Sequence, residues 1–167
     1  ELVRLAIAGQ PGFVADDREL RRTGRSYMVD TLSSLREEVG DQPLCLIVGR
    51  VAFRDLHTWH RWQALTDLAH IVVMQRPGAT QPLPTVLDEF VAPRLIRESQ
   101  VLHQQSAGCI LFHPVTQLDI SATRIRSLMA RGQSPRYLLP EAVWTEIQNQ
   151  AWYGSPATPS MAISTPL

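Results

Sequence analysis

The chain has 167 residues, 44% of them hydrophobic, enough for one ordinary domain with its own core. Lys+Arg and Asp+Glu both number 16, so the formal net charge is zero, which argues against a protein that coats nucleic acid or an anionic membrane through excess positive charge and leaves room for a local basic site. No secretory signal pattern and no apolar run of bilayer length is found, and a reducing, cytoplasmic setting is expected. The cysteines, Cys45 and Cys109, each sit in an apolar run and read as buried strand thiols.

In chain order, "ELVRLAIAG" is amphipathic, with Leu2, Leu5 and Ala6 on one side and Gly9 as its stop. The pattern is already running at Glu1, and the expectation is a chain that lacks its native start. "GFVAD" (12–16) reads as a strand. "TLSSLREEVG" (31–40) carries Leu32, Leu35 and Val39 at helical spacing and ends at Gly40. "PLCLIVG" (43–49) is a continuous apolar run, typical of a strand covered on both faces. "WHRWQALTDLA" (59–69) reads as a helix, and "HIVVMQRPG" (70–78) as a second buried strand ended by Pro77 and Gly78. Residues 84–97 suit a helix broken at Pro93, after a loop over 79–84. "GCILF" (108–112) is a third buried strand. "SATRIRSLMARG" (121–132) is a helix closed by Gly132, and "LPEAVWTEIQNQAW" (139–152) is a last helix with Pro140 at its start. Residues 154–167 are rich in Pro, Ser and Thr with little charge and are expected to be a disordered tail. Strands alternating with helices imply parallel strands joined by crossovers, an α/β domain of the nucleotide-binding type over residues 1–153.

The chemistry concentrates in a few places. Ser121 precedes an apolar helical pattern, and a serine there caps the helix by accepting a first-turn N–H. Capping explains one hydroxyl but leaves Thr123 and Arg126 without a reason. The alternative is a phosphate seat. Free N–H groups and the helix dipole favour an anion at this end, and helical side chains lean toward the N-terminus, which brings Arg126 back over the first turn. Both readings stand on the residues alone.

"RTGRSYMVDTL" (22–32) reads as a capped helix after a turn at Gly24, with Asp30 and Thr31 near its start. Gly49 ends a buried strand, where ligands of open α/β sheets bind, and its missing side chain leaves room for a flat base. "DLHTWHRW" (55–62) holds two histidines and two tryptophans. His57 and His60 lack further ligands at metal-binding spacing, so no metal site is assigned. One tryptophan of the pair suits the core and the other suits an aromatic ligand.

Taken in order, "SYMVDTL", "LIVGRVAF" with "TWHRW", "HIVVMQRPG", "ISATRIR" and "YLLPEAVWTEIQNQAWY" resemble the motifs of bacterial nicotinate mononucleotide adenylyltransferases. The resemblance covers about residues 1–153 and is carried most specifically by the Ser-Tyr and Trp-His-x-Trp segments. It implies a Rossmann-like parallel sheet with helices on both faces, of nucleotidyltransferase type. It implies transfer of AMP from ATP to nicotinate mononucleotide, giving the deamido form of NAD and pyrophosphate. By resemblance, Ser121, Thr123 and Arg126 hold the ATP phosphates, with Arg126 also catalytic. Gly49 lies by the adenosine, Trp59 stacks on the nicotinate ring, His60 binds the nicotinate carboxylate through its N–H, and Tyr27 and Met28 flank that pocket. Mg²⁺ is expected to arrive with ATP, held by phosphates and water.

Three departures accompany the match. The family's Gly-Gly-Thr-Phe-Asp-Pro-x-His-x-Gly-His stretch does not occur in the sequence. It is expected in a missing N-terminal segment that would also supply the first strand. Val51 stands where the family has a ribose-holding aspartate, and Met28 replaces a threonine. Val51 and the missing segment motivate the alternative of a non-catalytic nucleotide-binding domain, and a related adenylyl- or cytidylyltransferase with another acceptor is a further alternative, although Trp59 argues for a flat aromatic acceptor.

Overall fold

The structure is a computed structural model that describes residues 1–75, 81–116, 118 and 120–153. Its helices in chain order are α1 (Leu2–Ile7), α2 (Arg18–Arg21), α3 (Met28–Val39), α4 (Arg50–Arg54), α5 (Leu65–Leu68), α6 (Thr85–Val91), α7 (Ala122–Ala130) and α8 (Glu141–Asn149). The strands are β1 (Cys45–Gly49), β2 (His70–Gln75), β3 (Leu95–Ile96) and β4 (Ile110–Pro114). They form one four-stranded sheet in the order β1-β2-β4-β3, parallel at every pairing. The chain divides into two compact units, Asp17–Gln117 with the whole sheet, and Glu1–Asp16 together with the chain from Leu118 onward.

In the sheet unit, alternation decides which face each residue serves. Ile71, Val73 and Ile110 point to the face covered by Val29 and Leu32 of α3, Phe53 of α4, Leu65 of α5 and Leu87 of α6, and these form the main core. Val72 and Leu111 point the other way, against Val101 and Leu102 of a 3₁₀ helix, Ser99–His103. Phe53 and Phe112 meet edge-on at 5.5 Å.

The reading of β1 as covered on both faces is corrected. Val48 is buried, but Ile47 on the opposite face is 65% exposed and Cys45 is also exposed. β1 is an edge strand of this sheet, and the cover that an apolar run demands reaches only the α3 side. Cys109 is buried as expected. Partial burial, and secondarily Cys109, hold the Cys45 thiol above its usual pKa.

Other expectations shift for local reasons. No strand forms at 12–16, where Phe13 and Val14 are exposed and make no ladder. Residues 59–69 are not one helix: Arg61 takes a left-handed φ of 49°, which interrupts the run, and only a 3₁₀ turn (Trp62–Ala64) and α5 follow. Pro93 ends α6 as expected, but the chain beyond it becomes β3 rather than more helix. α3 starts earlier than its apolar pattern suggested, at Met28. Residues 76–80, with Pro77 and Gly78, and the expected tail at 154–167 lie outside the described residues.

Two polar groups fasten the sheet unit. Arg36, near the end of α3, donates to the carbonyls of Leu68 (3.0 and 2.6 Å), Gly40 (2.6 Å), Gln42 (2.7 Å) and Ser106 (2.7 Å). It thereby joins the ends of α3 and α5 to the segments that lead into β1 and β4. His70, fully buried at the start of β2, accepts the Cys109 N–H at Nδ1 (3.0 Å) and donates from Nε2 to the Gln105 carbonyl (2.9 Å). The first bond fixes the tautomer with the proton on Nε2. His70→Phe would leave a buried N–H and a carbonyl without partners. We expect it to cost about 2–4 kcal/mol, measured by urea unfolding, and a loss below about 0.5 kcal/mol would contradict this role.

In the other unit, α1, α7 and α8 share one core. Met129, Val143, Trp144 and Ile147 are buried there, with Leu2, Leu5, Ile125 and Leu139 packed against them. Gly132 ends α7 at φ 71°, with Gly132 N–H to the Met129 carbonyl (2.9 Å) and Gln133 N–H to the Leu128 carbonyl (2.9 Å), a Schellman closure. Pro140 sits just before α8, where its missing N–H costs nothing. Among the described residues no helix is long and apolar enough to cross a membrane.

Candidate functional site

The predicted site residues fall into the two units. In the sheet unit, Gly49 closes β1 with φ −73° and ψ 153°, a conformation open to any residue. A Cβ built there meets no heavy atom within 4 Å. The fold therefore does not itself require glycine at this strand end. Val51 follows in α4 and is 80% exposed. Arg50 donates to Gln75 Oε1 (2.9 Å) and to the Gln81 carbonyl, and Arg54 donates to Gln81 Oε1 (2.5 Å). Both guanidinium groups are held by neutral acceptors, and their Nε atoms are buried without a partner among the described residues. Sequence reading passed over this pair, which had no motif to mark it.

Tyr27 and His60, 33 positions apart in sequence (60 − 27), meet ring to ring at 4.3 Å with 32° between their planes. Tyr27 holds the N-cap position of α3 but makes no side-chain cap, so the expected capped start is corrected. Asp30 and Thr31 are not caps: Thr31 Oγ1 donates to Glu19 Oε1 (2.6 Å), and the Asp30 carbonyl accepts from Arg22 (2.8 Å). The N–H groups of Met28 and Val29, in the first turn, have no acceptor among the described residues. The His60 N–H has none either. The Tyr27–His60 contact sets the α3 start beside the Trp59–His60 turn, so free amide donors come from two segments that touch.

Trp59 and Trp62 are both half-buried and pack on the main core, as do Tyr27 and Met28. Trp62 is the more structural of the two, meeting Phe90 edge-on at 4.6 Å, with the Arg94 guanidinium 4.0 Å over the same Phe90 ring. His57 hydrogen-bonds through Nδ1 with the Arg54 carbonyl (3.1 Å), apart from the His60 stack. No group of three or more His, Cys, Asp or Glu among the described residues could hold a metal ion.

In the helical unit, Ser121 caps α7, its Oγ accepting the Arg124 N–H at 3.1 Å. Arg126 leans back toward the helix start, with a long contact of 3.5 Å from Nη2 to Thr123 Oγ1. The N–H groups of Ala122 and Thr123 have no acceptor among the described residues. Ser121, Thr123 and Arg126 are all exposed. This end of α7 thus offers backbone donors, a hydroxyl and a guanidinium without a carboxylate partner among the described residues, a set that suits phosphate oxygens. The serine serves as the cap, and the other groups are left over for an anion.

Residues 1–128 match the cytidylyltransferase-like family. Over 156 residues the chain is 51% identical to a probable nicotinate-nucleotide adenylyltransferase of Halorhodospira halophila, covering 93% of this chain and 72% of that protein. A relative of the same description from Aeromonas salmonicida is 47% identical over 152 residues, covering 91% of this chain and 71% of its own length. Among solved structures, the Plasmodium falciparum nicotinic acid mononucleotide adenylyltransferase complexed with NaAD superposes with a TM-score of 0.59 at 10% identity, over 90% of this chain and 69% of that one. At that identity the superposition speaks for the fold alone, and it is the nucleotidyltransferase form of the Rossmann-like fold.

Proposed function

The chain belongs to the cytidylyltransferase-like family and to the nicotinate-nucleotide adenylyltransferases, and on that premise we propose that it transfers AMP from MgATP to nicotinate mononucleotide. The acceptor's phosphate oxygen attacks the α-phosphorus of ATP. The α–β P–O bond breaks, pyrophosphate leaves with the electron pair, and the deamido form of NAD is formed. The attacking group is already an anion, so no protein nucleophile is needed. The protein's task is to align two phosphates and to stabilise the charge that grows on the leaving pyrophosphate. Arg126, Thr123 and the free first-turn amides of α7 are assigned to that charge. Mg²⁺ is assigned to the substrate as MgATP, held largely by phosphates and water.

One observation supports the acceptor most: the Tyr27–His60 ring stack joins the uncapped start of α3 to the turn that carries Trp59 and a His60 N–H without an acceptor among the described residues. Amide donors next to aromatic walls suit a flat ring that bears a carboxylate. Trp59 is assigned to stack on the nicotinate ring. Met28 has no hydroxyl to offer in place of the family's threonine, so the carboxylate's partners are the backbone amides. Gly49, with open space where a side chain would stand, is assigned to the adenosine. The same reading places the protein in the cytoplasm, where the Cys45 and Cys109 thiols stay reduced.

Titration calorimetry tests the acceptor assignment. Nicotinate mononucleotide should bind at least about tenfold tighter than the carboxamide analogue, because the amides favour an anion by roughly 1.4 kcal/mol or more. Equal affinity for the two would remove the carboxylate pocket from the account.

Val51 gives the ribose no acceptor. Val51→Asp is expected to tighten MgATP by about tenfold or more, the worth of a hydrogen bond to a charged group. Folding should be untouched, since Val51 is 80% exposed and lies in the first turn of α4. Unchanged ATP affinity in this variant would show that the ribose lies elsewhere.

A further inference from the structure

The backbone N–H of His60 has a place in the proposed acceptor pocket, but its imidazole has none so far. The residue is exposed, and its ring makes no hydrogen bond among the described residues. Among the described residues the ring's one specific contact is the stack on Tyr27, at 4.3 Å between centroids.

The backbone around it does not hold itself in place by conformational preference. Arg61, the next residue, sits in the left-handed region at φ 49° and ψ 38°, unfavourable for a residue with a Cβ. Hydrogen bonds fix the turn on either side: Trp59 N–H to the Leu56 carbonyl (2.9 Å) and Trp62 N–H to the Trp59 carbonyl (3.2 Å). Neither bond involves the His60 peptide N–H. On the other side of the stack, Tyr27 is rooted in the core layer, and its carbonyl accepts the N–H groups of Asp30 (3.0 Å) and Thr31 (3.2 Å). The stack therefore joins a strained turn to a well-anchored helix start, and each of the two carries free amides.

We propose that the His60 imidazole is a positioning residue: stacked on Tyr27, it holds the Trp59–His60 turn so that the His60 N–H and the first-turn amides of α3 face one carboxylate. The proposal rests on the reading of this pocket as the nicotinate site. The imidazole acts as a flat ring, and neither its charge nor its hydrogen bonding is required. An aromatic pair of this kind is expected to contribute about three- to tenfold in acceptor affinity.

The test compares His60→Ala, His60→Gln and His60→Phe in the full chain, with separate calorimetric titrations of nicotinate mononucleotide and ATP. Ala and Gln should weaken nicotinate mononucleotide by about three- to tenfold and leave ATP unchanged. Phe keeps the stack and should stay within about twofold of the parent. Thermal midpoints should not move, because the side chain is exposed. A Phe variant as weak as Ala would overturn the proposal in favour of a polar role. An Ala variant with unchanged binding would overturn it outright, and so would parallel loss of ATP affinity. If the parent chain binds ATP but not nicotinate mononucleotide, the pocket assignment itself fails and the proposal falls with it. Binding by the parent with no difference among the variants removes this proposal alone.

Discussion

Arg126→Ala is expected to weaken MgATP binding by about a hundredfold, roughly 2.7 kcal/mol, while the unfolding midpoint stays where it is. The size follows from a charge-assisted, two-pronged contact with phosphate oxygens. The silence in folding follows from the structure: Arg126 is exposed, and its only described contact is the 3.5 Å approach to Thr123. Ser121→Ala should show the opposite balance. Its hydroxyl caps α7 through the Arg124 N–H, so its loss should cost about 1 kcal/mol of stability and less ATP affinity than Arg126. Calorimetry with MgATP and thermal unfolding on both variants separate the roles. Equal losses of binding and stability in Arg126→Ala would make the arginine a structural residue and dissolve the phosphate seat.

Arg36→Met should be the most damaging change to folding among the partly exposed residues of the sheet unit, at about 2–4 kcal/mol by urea unfolding. Five hydrogen bonds to four carbonyls end at this one guanidinium, counted as two to Leu68 and one each to Gly40, Gln42 and Ser106. The cost is less than five separate bonds because part of the group is open to water, which re-satisfies some carbonyls. Arg36→Lys should recover only part of the loss, since an ammonium lacks the planar fork that reaches carbonyls on several sides. A loss below about 0.5 kcal/mol for the methionine variant would show that the four segments are held by their packing alone.

Short apolar runs made three of the four strands legible. The runs expected at 43–49, 70–78 and 108–112 contain β1, β2 and the start of β4, whereas β3 falls in a stretch read as helix. Ser121 and Gly132 marked the ends of α7 through local cap chemistry that survives into the fold. Other features depended on facts a pattern does not carry. The exposure of Ile47 is set by which strands lie beside β1, a tertiary matter. The break at Arg61 is a single left-handed residue with no glycine to announce it. Arg36 carries no motif in the sequence, and only the fold gathers four carbonyls around it. Part of the site was legible in the same sense. Ser121, Thr123 and Arg126 showed their chemistry in one short run. The proposed acceptor pocket was named only through the resemblance, since its chemistry depends on Tyr27 meeting His60 and on a helix start left uncapped. The resemblance gives His60 a backbone role, and the stack of its ring is set by the fold.

The most direct test of the central claim is to supply the full-length protein with MgATP and nicotinate mononucleotide and to measure both products, the dinucleotide by mass spectrometry and pyrophosphate by a coupled assay. Deamido-NAD and pyrophosphate should form in equal amounts, with nicotinate mononucleotide used well ahead of its carboxamide analogue. Release of pyrophosphate without the dinucleotide, or binding of both substrates with no product, would contradict the assignment of this chain to adenylyl transfer.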